Sequence, residues 1–291
     1  MKILTLGNGF IANELPYAKI LNRIDYSSKH IAAILDLHKP DILINCIGKA
    51  GKNTVDDCEY NKAETALTNT ALPILLATEC EKKSIHMIHI GSGCIYYGQS
   101  PNSGRFALNS SYPDEYNFNY TLDTIDFGWK ETDFANPKGY YTKTKYAADL
   151  ALQDFNNVSI LRIRMPLSNK VNSRNLITKL IKYNKIIDIP NSVTFTDDLA
   201  KVVKFIIDKS LLGVYHVTNP DTLTAKDIME EYQKYNKEHK FEIISEKQLD
   251  NLVIAKRSNC ILSNEKLKVA GLELISAKEK LIHCMKEYCN N

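Results

Sequence analysis

Near the N-terminus, a short apolar run passes directly into a glycine-containing turn, and this order limits the fold sharply. Lys2 to Leu6 has the composition of a buried strand, and the pattern G-x-G-x-x-A, from Gly7 to Ala12, follows it at once. Such a turn lets the backbone approach a pyrophosphate, while the N-terminus of the next helix supplies partial positive charge. Its place after the first strand predicts dinucleotide binding, with an ordinary tight turn between strand and helix as the alternative. The predicted contacts are Gly7, Gly9, Phe10 and Ile11.

Similar apolar runs recur along the first 165 residues and alternate with helical patterns. Asp41 to Ile47, Met87 to Ile90 and Val158 to Ile163 have the largely apolar character of buried parallel strands. A helical stretch from about Lys62 to Lys83 lies between two of them. This alternation predicts the α/β class, as a Rossmann-like doubly wound parallel sheet with right-handed crossovers.

Beyond residue 165 the strands become sparser, which predicts a smaller C-terminal α/β part. We assign residues 1–165 to a dinucleotide-binding Rossmann domain, to which residues 192–218 return. Residues 166–191 and 219–291 then form a smaller substrate-binding part that closes over the sheet. The polar stretch from Ser100 to Tyr120 is expected to be a long loop.

Composition and charge exclude several classes of protein. The 37 basic and 34 acidic side chains are mixed along the chain and give a net charge of +3, so we expect no nucleic-acid or membrane partner. Seven cysteines without a C-x-x-C pair predict reduced thiols and no metal site. The acidic run Asp56 to Glu59 is expected to begin a helix rather than to bind a metal. No targeting segment is recognisable at the N-terminus, which favours a cytoplasmic protein.

Two further segments are candidates for the cofactor site. Asn45, Cys46 and Gly48 end a predicted strand, and their small side chains would let the backbone lie against adenine or ribose. After the turn, Asp25 could bind ribose hydroxyls, whereas Arg23 and the run Ser27, Ser28 and Lys29 could bind a 2′-phosphate. The serines could equally cap the helix that begins near His30. We favour NADPH as the cofactor and leave NADH open.

Tyr141 and Lys145 lie four residues apart on a predicted helix, so that they share one face. A free tyrosine titrates near pH 10, and a neighbouring ammonium would stabilise the phenolate that remains after proton donation. Ser92, at the end of the preceding strand, would add a second hydrogen bond to a carbonyl oxygen. Together these groups predict carbonyl reduction.

Cys94 lies two residues after Ser92 and is the unusual member of this group. A thiolate beside Tyr141 or Lys145 could remove a proton from carbon. A small buried apolar residue, which is what most free cysteines are, is the alternative.

The whole chain resembles the extended short-chain dehydrogenase/reductase superfamily, and within it the nucleotide-sugar 4-reductases related to dTDP-4-dehydrorhamnose reductase. Some segments are especially similar to the plant and giant-virus UDP-4-keto-6-deoxyglucose 3,5-epimerase/4-reductases. These segments are Val55 to Glu59, Gly93 to Ile95, Tyr141 to Lys145, Arg162 to Pro166, Arg174 to Lys179, Asp188 to Ser192 and Arg257 to Asn259.

The resemblance implies roles for further residues. It makes Ser92, Tyr141 and Lys145 a catalytic triad and pairs Cys94 with a second acid or base, for which Lys179 is the natural candidate. A solvated helix lysine is the alternative for Lys179. Asn175 and Arg257 are placed near the substrate diphosphate, and Arg164 is assigned to the cofactor.

We therefore expect an NADPH-dependent bifunctional 3,5-epimerase/4-reductase that converts UDP-4-keto-6-deoxyglucose to UDP-L-rhamnose. A 4-reductase that lacks epimerase activity, with a dTDP sugar, and a non-catalytic reductase-like regulatory subunit are the alternatives. The resemblance also implies a homodimer, in the cytoplasm of the cell, or of the host if the source is viral.

Overall fold

The computed structural model describes residues 1–20, 25–52, 54–100 and 128–290. Arg23 and nearly all of the predicted loop from Ser100 to Tyr120 lie outside the described residues. Within the described ranges, no helix is long and apolar enough to cross a membrane.

A six-stranded, entirely parallel sheet lies at the centre of the molecule, with strand order β2-β1-β3-β4-β5-β9. This architecture confirms the predicted doubly wound α/β class. The strands are β1 (Ile3–Leu6), β2 (Ala18–Ile20), β3 (Ile42–Asn45), β4 (His86–Ser92), β5 (Val158–Ile163) and β9 (Gly213–Val217). Sequence analysis missed the edge strand β2, which is only three residues long.

Helices cover both faces of the sheet and bury two apolar clusters against it. The helices that precede β5 are α1 (Phe10–Glu14), α2 (Ser28–His38), α3 (Asp57–Tyr60), α4 (Lys62–Ala66), α5 (Leu72–Lys82) and α6 (Tyr140–Leu152). On one face, α2 and α5 supply Ile31, Leu35, Leu72 and Leu76. On the other, α8 (Thr196–Lys209) supplies Leu199, Val202, Val203 and Ile206.

The predicted helix from Lys62 to Lys83 is interrupted by a π-helical turn, Leu67–Ala71. Pro73 follows directly, in the first turn of α5. Proline has no backbone N–H to donate and its ring crowds the preceding turn, so the helix widens before it.

A third apolar cluster lies outside the central sheet and belongs to the C-terminal part. The elements after β5, apart from α8 and β9, are β6 (Pro166–Leu167), α7 (Leu176–Ile181), β7 (Lys185–Ile186), β8 (Thr194–Phe195), α9 (Ala225–Gln233), β10 (Glu242–Ile243), α10 (Glu246–Asp250), α11 (Glu265–Val269) and α12 (Ala277–Asn290). Of these, α11 packs on the central sheet, because its Leu267 belongs to the same cluster as α8. Two short parallel pairs, β6 with β8 and β7 with β10, connect these helices. The predicted domain boundaries stay a prediction.

The register of the sheet brings the carboxyl ends of several strands together. Leu6 pairs with Asn45, Asn45 pairs with His89, and Ser92 pairs with Ile163. The order of the strands reverses between β1 and β3, and ligands of open α/β sheets bind at such a reversal. The predicted site residues therefore follow adjacent strand ends.

Candidate active site

Ser92, Cys94 and Tyr141 come together where β4 ends. The hydroxyl of Ser92 accepts a hydrogen bond from the backbone N–H of Cys94 at 3.2 Å. Tyr141 lies in the first turn of α6, and its side chain and that of Cys94 line the same cavity. Burial raises the pKa of the Tyr141 phenol, the charge of an ionised Cys94 raises it further, and hydrogen bonding with Ser92 acts in the opposite direction.

Lys145 lies one helical turn after Tyr141, and its amine is directed at β4. The Nζ atom donates to the carbonyl of Ile90 at 3.1 Å and lies 3.4 Å from Nε2 of His89. Burial lowers the pKa of Lys145 to about 8, while the charge of Asp149 acts in the opposite direction. The predicted pair thus lies on one helix, with Lys145 fully buried against the sheet.

Arg164, just after β5, is the charged group that contacts Cys94. Its side chain is 1% exposed, and Nη1 donates to the sulfur of Cys94 at 3.0 Å. Oxygen atoms of Ser258, Cys260 and Asn191 accept the other hydrogen bonds of the guanidinium. A fixed guanidinium can stabilise negative charge on a thiol. The contact that the structure describes for Arg164 is therefore with the thiol, and cofactor binding by this residue stays a prediction.

A cavity of about 340 Å³ opens beside these groups. Its volume is within the range of small-molecule sites. Among the described residues that line it there is no carboxylate, whereas six side chains are basic. The six are Arg164, Arg174, Lys179, Lys185, Lys256 and Arg257. A cavity of one charge sign concentrates ligands of the opposite sign, so this one favours an anionic ligand.

Lys179, on α7, lies in the wall of this cavity. Burial lowers the pKa of its amine, and the positive charges of Arg174 and Arg257 lower it further, against the charge of Cys94. A lowered pKa brings an amine closer to the uncharged form in which it can accept a proton. The structure thus places Lys179 and Cys94 around one space, as a paired acid and base require.

Arg257 also lines the cavity and binds Asp56 through two parallel hydrogen bonds of 2.8 Å each. The hydrogen bond from Arg257 holds the pKa of Asp56 well below its usual range. The acidic run begins a helix as predicted, with Asp56 at the N-cap position of α3, but the Asp56 carboxylate makes no capping bond there and accepts from Arg257 instead. Diphosphate binding by Arg257 stays a prediction.

Asn175 is fully buried and serves the backbone. Its Oδ1 accepts from the N–H groups of Ser168 and Ile177, and its Nδ2 donates to the carbonyls of Ser168 and Lys170. These four bonds cap α7 and fix the preceding turn. Substrate contact by Asn175 stays a prediction, and this arrangement disfavours it.

The ends of β1 and β3 form the other side of the site. Gly7 has a φ of 111°, a conformation that favours glycine, and its backbone packs against Cys46 and Ile47. Burial raises the pKa of the Cys46 thiol to about 12, so this thiol stays uncharged. The backbone of Gly48 also lies close to Lys145, because a Cβ atom at this position would be 3.9 Å from Nζ. These small groups leave room for a dinucleotide across the strand ends. Cofactor binding stays a prediction for all of the residues assigned to it here, which are Gly7, Gly9, Phe10, Ile11, Asn45, Cys46 and Gly48.

Ser27 caps α2, because its hydroxyl accepts from the N–H of His30 at 3.3 Å. This contact is the capping alternative that the sequence left open. Ser28 begins the helix, and both Ser28 and Lys29 are exposed. Phosphate binding by Ser27, Ser28 and Lys29 stays a prediction.

The comparisons with known proteins agree with this geometry. The family model described as the RmlD substrate binding domain matches residues 18–290. The chain belongs to the RmlD family. The resemblance to dTDP-4-dehydrorhamnose reductases is therefore confirmed.

Individual relatives of this RmlD-family chain are known in plants and viruses. It is 34% identical over 255 residues to a bifunctional dTDP-4-dehydrorhamnose 3,5-epimerase/dTDP-4-dehydrorhamnose reductase of Arabidopsis thaliana, covering 87% of this chain and 78% of the relative. The crystal structure of the L780 UDP-rhamnose synthase of Acanthamoeba polyphaga mimivirus is 26% identical, covers 99% of each chain and has a TM-score of 0.86.

More distant structures share the fold. A dTDP-4-dehydrorhamnose reductase of Bacillus anthracis, solved in complex with NADP, is 18% identical, covers 99% of each chain and has a TM-score of 0.76. The chain spans about a third of the length of the trifunctional rhamnose enzymes of Arabidopsis thaliana, with 38% of one relative covered at 32% identity.

Sequence analysis of this RmlD-family chain missed the contact of Arg164 with Cys94 and the role of Glu59. The Oε1 atom of Glu59 accepts from the N–H of Tyr140 at 2.6 Å and so caps α6 from outside the helix. A signal for Arg164 was present, because Arg162 and Arg164 lie two residues apart in and just after an apolar strand. Buried arginines need partners, and their spacing puts both on one face. No local signal identifies Glu59, which is 81 residues from its partner.

Proposed function

We propose that the protein is a bifunctional 3,5-epimerase/4-reductase that converts UDP-4-keto-6-deoxyglucose to UDP-L-rhamnose. One observation carries the proposal: the phenol of Tyr141, the thiol of Cys94 and the amine of Lys179 line one basic cavity. A reductase needs the first group, and an epimerase needs two further proton carriers beside the same ketone. The name of the plant relative supports both activities, and that of the mimiviral structure supports UDP-rhamnose as the product.

The ketone oxygen at C4 of the sugar would accept hydrogen bonds from Ser92 and Tyr141. These donors stabilise the negative charge that this oxygen gains in an enolate or during reduction. Carbons C3 and C5 are both adjacent to the ketone, so one pair of donors serves proton removal at either carbon. The same donors then serve reduction.

Cys94 and Lys179 would exchange protons with C3 and C5. One group removes the proton, the electron pair passes to the ketone oxygen, and the other group returns a proton to the opposite face of the carbon. Arg164 would hold the sulfur of Cys94 in position during this exchange, through the hydrogen bond that its Nη1 atom donates. The product of two inversions is the L-configured 4-ketosugar.

The substrate diphosphate would lie among the basic side chains of the cavity wall, for which Arg174 and Arg257 are the best-placed guanidinium groups. The apolar wall then receives the nucleoside. Leu176, Leu180, Ile186, Ile187, Ile189 and Leu249 form much of that wall.

NADPH fits the turn at Gly7 and the small residues at the end of β3, and when bound it supplies the hydride that reduces C4. Tyr141 donates the proton to the oxygen. The complex of the Bacillus anthracis reductase with NADP supports this cofactor. The exposed Ser28 and Lys29 are available for a 2′-phosphate, so we expect NADPH to be preferred to NADH. The homodimer belongs to the same proposal, and sedimentation of the purified protein tests it.

Replacing Cys94 with alanine separates epimerisation from reduction. The variant should lose solvent deuterium incorporation at C3 and C5, because the acid/base group is gone, and should still reduce a ketone that has already been epimerised. NMR of the sugar recovered from D₂O measures the first, and NADPH oxidation measures the second.

Cys289→Ala is the matched control, because this free thiol lies on α12 at the other end of the chain. Exchange by Cys94→Ala at the wild-type rate would remove Cys94 from the epimerisation, and absence of exchange in the wild type itself would leave a 4-reductase without epimerase activity. Absence of NADPH oxidation with any 4-ketosugar would contradict the enzyme itself.

A further inference from the structure

A buried polar cluster lies directly beneath the active site. His89, on β4, is 1% exposed, and Asn45, opposite it on β3, is fully buried. The Nδ1 atom of His89 lies 3.1 Å from the amide nitrogen of Asn45, and its Nε2 atom lies 3.4 Å from Nζ of Lys145. The imidazole thus bridges the end of β3 and the active-site lysine.

The hydrogen bonds of Asn45 fix the tautomer of His89. The amide oxygen of Asn45 accepts from the backbone N–H of Ile47 at 3.0 Å, so that its NH₂ group faces the imidazole. An NH₂ group only donates here, so Nδ1 of His89 must accept. A neutral imidazole then carries its proton on Nε2, directed at Lys145.

When Lys145 is charged, two hydrogen-bond donors face each other, Nε2–H of His89 and the Lys145 ammonium. An ammonium has no lone pair and cannot accept from Nε2–H of His89, whereas an uncharged amine can. The bond from Lys145 to the carbonyl of Ile90 is available in both states. Protonation of His89 does not relieve the conflict, because burial and the charge of Lys145 hold its pKa well below its usual range.

The other groups around Lys145 do not remove this effect. Asp149, on the same helix, favours the ammonium, but its Oδ2 atom is bound to Arg162 at 2.6 Å. Burial raises the pKa values of both Cys46 and Tyr141, so neither group is charged near neutral pH. Burial lowers the pKa of Lys145 to about 8, and hydrogen bonding to His89 is a separate effect. His89 is therefore the neighbour whose hydrogen bonding opposes the ammonium.

We propose that His89 is a positioning residue that acts through Lys145, by disfavouring its ammonium form and so setting the alkaline limit of the reduction. The part that concerns reduction rests on the proposed function, because it assumes that the phenolate of Tyr141 needs the charge of Lys145. The titration of Lys145 in the ligand-free protein does not rest on it.

Carbon-13 NMR of the full chain labelled at lysine Cε, titrated without cofactor, tests the proposal. The signal of Lys145 is the one missing from Lys145→Met. His89→Gln offers Lys145 an acceptor oxygen in place of the N–H and should raise the titration midpoint by roughly one pH unit. His86→Gln is the matched control, since His86 lies on the same strand with its Nε2 atom 2.7 Å from the hydroxyl of Ser159. In this variant the titration midpoint of Lys145 should equal that of the wild type.

His89→Asn keeps an oxygen for the Asn45 amide and removes the N–H from Lys145, so it replaces the glutamine variant if that one does not fold. A wild-type midpoint in both His89 variants overturns the proposal. The alkaline limb of kcat/KM for reduction should move upward by the same amount as the NMR midpoint. A shifted midpoint without any reductase activity would contradict the proposed function and leave the effect of His89 intact.

Discussion

At the level of single residues, Lys179 has the surroundings of an acid/base group. Burial and two neighbouring guanidinium groups favour its uncharged amine, and it shares the cavity with Cys94. An exposed helix lysine would keep its charge throughout the neutral range. The alternative of a solvated lysine is therefore disfavoured for this residue.

Lys179→Met should lower deuterium exchange at both C3 and C5 by about 10²–10⁴-fold, the usual contribution of a positioned acid or base. Reduction of an epimerised ketone should persist. Site-resolved NMR of the recovered sugar measures both carbons. Lys182→Met is the control, because Lys182 is exposed directly after the same helix; equal exchange in the two variants would remove Lys179 from the mechanism.

Residue spacing predicted only part of this site. Tyr141 and Lys145 could be paired because a helix repeats every 3.6 residues, and Ser92 because hydroxyls at strand ends point into such sites. The contact between Arg164 and Cys94 spans 70 positions and depends on how β4 and β5 pair. The two donors that face each other beneath Lys145, its ammonium and Nε2–H of His89, depend on the tautomer of His89, which residue spacing does not reveal.

At the level of elements, the catalytic helix α6 begins without a side-chain cap of its own. Glu59, which lies in α3, supplies the acceptor to the first turn. A carboxylate at a helix N-terminus satisfies a free N–H and interacts favourably with the helix dipole. The position of Tyr141 in that turn therefore depends on a second, very short helix.

Glu59→Ala should lower the free energy of unfolding by about 0.5–2 kcal/mol, as the loss of a helix cap does. The rate of reduction should fall as well, because the first turn that carries Tyr141 loosens. Urea unfolding and NADPH oxidation measure the two effects. Glu59→Gln keeps an acceptor oxygen, so its free energy of unfolding and its rate of reduction should lie between those of the wild type and of Glu59→Ala. Glu81→Ala, on the exposed side of α5, should change neither quantity.

Element positions were more predictable than their irregularities. β5 has the bounds that its largely apolar run predicts, since a buried parallel strand needs mostly apolar side chains. The π-helical turn before Pro73 was not predicted, because its width depends on packing as well as on the proline.

At the level of the whole molecule, one buried charge cluster joins parts of the chain that are far apart in sequence. Arg162, 1% exposed, donates to Asp149 and to the hydroxyl of Tyr96, both at 2.6 Å. The same guanidinium contacts the carbonyl of Glu131 and the ring of His216. It thereby connects α6, β5, β9 and the segments at 96 and 131.

Arg162→Met should lower the free energy of unfolding by about 3–5 kcal/mol, because Asp149 is left as an uncompensated buried charge. Urea denaturation of the purified protein measures the loss. Adding Asp149→Leu to this variant should recover part of it, since the isolated charge is then removed. Lys204→Met breaks an exposed ion pair with Asp208 and should leave the free energy of unfolding nearly unchanged. An equal loss in the Lys204 and Arg162 variants would contradict the role of the cluster.

The two parallel bonds between Asp56 and Arg257 fasten together chain segments 201 positions apart at the rim of the cavity. The pKa of Asp56 is lower in the folded protein than in the unfolded chain. The ion pair therefore contributes its full stability above the pKa of an unfolded aspartate, and this contribution is lost as the pH falls through the lower, folded value. A ligand that changed the distance between these two segments would have to break the ion pair between Asp56 and Arg257. Because the two bonds persist while Asp56 is ionised, this side of the opening keeps the same width across the neutral and mildly acidic range of pH.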